Sequence, residues 1–274
     1  MRVGPAISAE DTALLTRLTP ATPSAYHRLN PLTKALAAIV ESIGAFVIGG
    51  YLGPLALIGL VIVPCAAVAG VLGRLVRVSL LLTLPIAISV VLVSVFTRAG
   101  THVLFTIGPF DATTEGVNFA GQILVRLFAI SLSIGLFGLT TDPSALVYDL
   151  ERRGVSARFA FVANATLQAV PSMLERAGII QAAQRARGLD TEGSIRARLR
   201  GVMPLVGPVI LSSLTEVEER SLALEVRAFS RPGRRNLLWT APDRPVERVA
   251  RWAMVLAFGA VVALRLTGHF PDLV

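Results

Sequence analysis

The chain has 274 residues, of which 53% are hydrophobic and only 16% charged, and its formal net charge is +8. A soluble domain carries about a quarter charged residues, so an ordinary soluble class is excluded, and a mean hydropathy of +0.66 points to membrane insertion. The basic residues lie between apolar runs, which favours membrane topology and anionic lipid over a nucleic-acid partner.

In chain order, residues 1–31 form a polar segment with Pro5, Pro20 and Pro23 and no apolar core of the signal-peptide kind. Four apolar runs follow at 32–48, 51–72, 78–96 and 117–139, and a fifth at 252–267. Each is about long enough to cross a bilayer, and a helix is the only open chain that satisfies its own backbone there. Gly49 and Gly50 mark a tight turn between the first two. The expected fold class is all-α: a polytopic membrane protein of about five spans, four in residues 32–139 and the last in 252–274. A helical coupling domain, 140–251, is inserted before the last span. That region holds seventeen arginines, whereas Arg98 stands alone between the third and fourth spans. The positive-inside rule therefore puts the N-terminus and the insert in the cytoplasm and the C-terminus outside a cell membrane.

Three helices are expected in the insert. Asp142 and Pro143 are a cap and a first-turn proline. A second helix is predicted over 156–187, closed by Gly188. A third is predicted over 204–229, with Val206, Ile210, Leu214, Val217, Ser221 and Leu224 on one stripe and Glu216, Glu218, Glu219 and Arg220 off it. The apolar stretches 159–170 and 205–214 are short for spans. They read as helices lying along the membrane or a partner, with a re-entrant segment as the competing reading.

Catalysis has no visible home. No glycine-rich turn precedes Lys34, the only lysine, so there is no P-loop. His27, His102 and His269 fall in different layers, so no metal site is expected, and no cofactor. Cys65 is the only cysteine, which rules out an intrachain disulfide. The positive feature is an arginine at the close of each of two insert helices, Ala186-Arg187-Gly188 and Val226-Arg227-Ala228. Small or apolar neighbours let each end approach a surface, and the guanidinium offers a planar fork to carboxylates. Each arginine also offsets the negative end of its own helix.

These motifs fall in order with others: His27-Arg28-Leu29-Asn30-Pro31-Leu32-Thr33-Lys34, Thr113-Thr114-Glu115-Gly116 followed by Arg126, and Leu139-Thr140-Thr141-Asp142-Pro143. Together, from His27 to Ala250, they resemble the transmembrane T component of energy-coupling factor transporters, the family that includes cobalt-transport permeases. The resemblance implies a non-catalytic coupling subunit of an ATP-driven importer for a vitamin or a transition-metal ion. It implies two ATPase subunits and a membrane substrate-capture subunit as partners. Ala186, Arg187 and Gly188 match one family motif intact. Of the second, Val226, Arg227 and Ala228 keep only the arginine. Two intramembrane charges, Glu41 and Arg126, are expected to form a structural ion pair, because unpaired charge in lipid is costly. Two other classes weigh against this reading. A membrane enzyme acting on lipid needs convergent acid, base or metal groups, and a self-contained carrier needs repeated halves with matched broken helices. Neither pattern is present in the sequence.

Overall fold

The computed structural model describes residues 24–97, 102–107, 110–188, 195–229, 231 and 242–267. It divides into two compact units: Met1–Asp149 with Ala241–Val274, and Leu150–Thr240. The insert expected over 140–251 is therefore narrower at both ends, because hydrogen bonds described below hold its first and last residues in the membrane unit.

The membrane unit opens with α1 (Pro31–Ile48). Asn30 caps it by accepting from the Leu32 N–H at 2.9 Å, and Pro31 occupies the first turn. The second span runs through α2 (Leu52–Leu57), a π-helical turn (Ile58–Ile62) and α3 (Val63–Ala69). The π turn directly precedes Pro64, where a proline ring would crowd a regular helical carbonyl. The third span is α4 (Leu72–Thr97), with Pro85 inside it. A hairpin, β1 (Val103–Ile107) paired antiparallel with β2 (Phe110–Thr113), leads to the fourth span, α5 (Thr114–Thr140). That hairpin was not expected from sequence. The last span is α9 (Pro245–Leu266). By length and composition five described helices can cross a membrane, and they coincide with the five apolar runs.

Ile62, Ala66, Ala69, Leu75, Leu132 and Leu136 form the main buried cluster of this unit. Small residues let the helices close on one another. A Cβ added at Gly116 would stand 2.8 Å from the Ser94 carbonyl oxygen, so α4 and α5 meet there with no room for a side chain. The outer faces are apolar and exposed, as lipid-facing helices require.

Helix α6 (Pro143–Arg152) starts as predicted, with Asp142 accepting from the Ser144 N–H at 2.9 Å. In the second unit, α7 (Ala157–Ala186) is capped by Ser156 and passes through Pro171. Helix α8 (Ile195–Val226) differs from expectation. It begins nine residues before Pro204 and continues through Pro204 and Pro208, so these prolines do not set its start. The apolar stretches 159–170 and 205–214 are parts of these two long helices, not separate short ones. An ion pair ties α7 to α8, with Arg176 and Arg220 both on Glu216, at 2.6 and 2.8 Å. Val217, Ser221 and Leu224 of the predicted stripe line a groove with Phe161, Val162 and Ala165 of α7.

Candidate functional site

The two arginine-bearing helix ends share a left-handed residue after the arginine and a bond from its N–H to the carbonyl three residues back. At the end of α7, Arg187 is the cap residue, and the Gly188 N–H donates to Arg185 O at 2.9 Å with Gly188 at φ +87°. At the end of α8, the Ala228 N–H donates to Glu225 O and the Phe229 N–H to Leu224 O, each at 2.9 Å. Ala228 takes φ +56° and is the one non-glycine residue with positive φ among the described residues. This is the two-bond helix stop in which a left-handed residue follows the cap. Val226-Arg227-Ala228 thus reproduces the geometry of Ala186-Arg187-Gly188 although its sequence keeps only the arginine. The Phe229 ring packs on Phe161, centroids 4.8 Å apart, and anchors the stop. Both arginine side chains are exposed, and neither pairs with a carboxylate among the described residues.

Alanine in the left-handed region costs about 1 kcal/mol relative to glycine. Ala228→Gly should therefore stabilise the end of α8 by roughly that amount, and Gly188→Ala should destabilise the end of α7 by as much. Amide hydrogen exchange over 224–229 and 184–188 measures both. Equal exchange in parent and variants would count against the caps.

The expected Glu41–Arg126 pair does not form. Ser133 donates to the Glu41 carboxylate at 2.7 Å, while Arg126 donates to Gln122 at 3.4 Å. Ser133 and Arg126 are seven residues apart on α5, or roughly 10 Å along the axis. Arg126 instead sits level with Gly49, at the far end of α1, where Arg265 also approaches. Sequence depth alone did not resolve that difference.

Sequence reasoning missed the densest polar cluster, where the insert leaves the membrane unit. The Asn30 N–H donates to Glu247 at 2.7 Å, and its side-chain amide donates to Asp149 at 3.2 Å and to Pro242 O at 3.4 Å. Arg251 donates to Thr33 and to Asp243, both at 2.8 Å. Lys34 donates to Thr140 O at 2.9 Å and to His27 O at 3.2 Å, and lies 5.6 Å from the Tyr26 ring. Asn30, Lys34, Asp149, Glu247 and Arg251 are all buried, so each of these bonds replaces lost water. Burial pushes the Tyr26 phenol up, which keeps it protonated. Burial, and then the Lys34 charge, hold the His27 pKa below its ordinary value. A depressed histidine contributes full stability above the ordinary histidine pKa and loses it as pH falls below. The signal for this cluster was present in the sequence as Asn30-Pro31 and as Asp243 and Glu247 among the arginines that approach the last span. Their distance along the chain, 217 residues from Asn30 to Glu247, hid the connection.

Five candidate spans and a helical insert, whose two long helices end on exposed arginines that meet no carboxylate among the described residues, define a polytopic helical membrane protein. Among the described residues no His, Cys, Asp or Glu group is arranged to hold a metal. Residues 23–237 match the model of the CbiQ family, described as cobalt transport protein. The chain belongs to that family. It is 32% identical over 219 residues to the energy-coupling factor transporter transmembrane protein EcfT of Heliobacterium modesticaldum, covering 75% of this chain and 80% of the relative. The EcfT of Thermosediminibacter oceani is 28% identical over 75% of this chain and 80% of its own length. That of Bacillus subtilis is 26% identical over 86% and 93%. These relatives support a non-catalytic energy-coupling transmembrane component and favour neither the lipid enzyme nor the self-contained carrier.

Proposed function

We propose that this chain couples two ATPase subunits to a membrane substrate-capture subunit in an importer for a vitamin or a transition-metal ion. The observation that carries this reading is the pair of helix stops presenting Arg187 and Arg227 with no carboxylate on either among the described residues. Ala186 with Gly188, and Val226 with Ala228, keep bulk away from each guanidinium, so each end fits an acidic groove on an ATPase. The apolar faces of α7 and α8 supply the surface for the capture subunit: Leu174, Ile179, Leu211 and Val217 are all more than 60% exposed. The capture subunit sets the substrate. The N-terminus and the insert face the cytoplasm in this reading, and the lipid bilayer surrounds the five spans.

Co-expression with cognate ATPase and capture subunits should give a complex that hydrolyses ATP, whereas the purified chain alone should not. Failure of any ATPase to co-purify, or turnover by the isolated chain, would refute the proposal. Orientation has its own test. In a Cys65→Ser background, Ser156→Cys or Ser230→Cys should react with a membrane-impermeant thiol reagent only after the cells are opened. Reaction in intact cells would reverse the topology.

A further inference from the structure

We infer that Asn30 is a positioning residue that fastens both roots of the insert to the head of α1, so that a displacement of the insert is delivered to the first span. The inference rests on the coupling reading above.

The second unit, Leu150–Thr240, is joined to the membrane unit through two peptide links, one after Asp149 and one before Ala241. Both links lie beside a single side chain. The Asn30 amide reaches Asp149, the last residue before the insert, and the carbonyl of Pro242, the second residue after it. The same residue caps α1 through Leu32 and gives its own N–H to Glu247. Asn30 is fully buried and Asp149 is 1% exposed. A root that moved alone would break a hydrogen bond in a place closed to water. Without the clamp the first root, inside α6, and the second, leading into α9, could shift independently of each other and of α1. With it, the two roots and the start of α1 move together. Arg251 repeats the device one step deeper, joining Thr33 of α1 to Asp243 beside the second root.

The chemistry of position 30 is narrow. Two donors and one acceptor on a short side chain are what an asparagine supplies. An aspartate keeps the cap but turns a carboxylate toward the Asp149 carboxylate and the Pro242 carbonyl. A serine keeps the cap and the backbone bond to Glu247 and loses the amide that spans the roots.

The test uses the full complex with its ATPases, in a Cys65→Ser background, with spin labels at Phe46→Cys on α1 and Leu92→Cys on α4, both exposed on the membrane unit. The distance distribution is recorded without nucleotide and with ATP and vanadate. The nucleotide-driven shift seen in the parent should be lost in Asn30→Ser, while ATPase binding and hydrolysis persist. Asn30→Asp should also lose it. Asp149→Asn alone should keep it, because the new amide can still turn its oxygen to Asn30. Asn30→Asp combined with Asp149→Asn should regain part of it, since the bond at the first root re-forms with donor and acceptor exchanged while the bond to Pro242 stays lost. A parent that shows no shift, an Asn30→Ser shift equal to the parent's, or a double variant no better than Asn30→Asp would overturn the inference. A variant complex whose yield falls while its shift stays intact would likewise overturn it, by reducing Asn30 to a stability role. Failure of the coupling reading is distinguishable, because then the parent retains no ATPase at all.

Discussion

Arg187→Ala with Arg227→Ala should yield a protein that inserts into the membrane normally and no longer retains the ATPases. Each guanidinium is exposed and meets no carboxylate among the described residues, so its removal strands no charge there. A charged hydrogen bond truncated at a buried interface costs about 2–5 kcal/mol, and every 1.4 kcal/mol is about tenfold in affinity. Either single change should thus weaken retention at least about tenfold, and the pair should abolish it together with uptake. The competing account, in which each arginine merely offsets its helix end, allows about 0.3–1 kcal/mol per site. That is too little to dissolve a complex. Arg158→Ala, at the opposite end of α7 and also exposed, serves as the control and should be silent. Arg234 and Arg235 lie outside the described residues. Co-purification and cellular uptake distinguish the two accounts: a double variant that assembles and transports like the parent leaves only the helix-end role.

Arg251→Ala should be the most damaging substitution for stability, at roughly 3–5 kcal/mol, because it removes the buried cation nearest a buried carboxylate. The Asp243 side chain is 5% exposed, and the Arg251 side chain that meets it at 2.8 Å is 9% exposed. Arg248 meets the same carboxylate at 3.7 Å, but its side chain is 64% exposed. Arg248→Ala should therefore cost less than about 1 kcal/mol. Replacing the partners together, Arg251→Met with Asp243→Asn, should recover most of the loss, since no uncompensated charge remains. Thermal unfolding in detergent measures all three. Equal melting losses from Arg248→Ala and Arg251→Ala would show that burial does not govern this pair.

Much of the architecture was legible along the chain because a bilayer admits few solutions. Apolar runs of spanning length must be helical in lipid, and the described spans stand where the runs predicted them. The Asp142-Pro143 start of α6 was equally local, since a cap and a first-turn proline act within three residues. Helix α8 shows where local signals fail. Pro204 read as a start, yet the helix begins at Ile195; a proline weakens a helix without forbidding it when the rest of the segment favours one.

The arginines of the candidate site were also readable, because family motifs and helix-end chemistry are written in adjacent residues. Their equivalence was not. Val226-Arg227-Ala228 looks degraded as a string, and only the folded backbone reveals Ala228 at φ +56° doing what Gly188 does at +87°. Packing of Phe229 on Phe161 helps hold that alanine in a conformation its Cβ disfavours. Tertiary structure likewise separated Glu41 from Arg126, since partner choice depends on the relative height of two helices and not on depth within each. It also drew Asn30, Asp149 and Glu247 into one buried network. By itself, then, the sequence determined the number of spans, their helical form and the identity of the arginines that end the insert helices, because those follow from hydropathy and near-neighbour chemistry. The equivalence of the two helix stops and the clamping of the insert's roots were decided only in three dimensions, because each depends on contacts between residues the chain holds far apart.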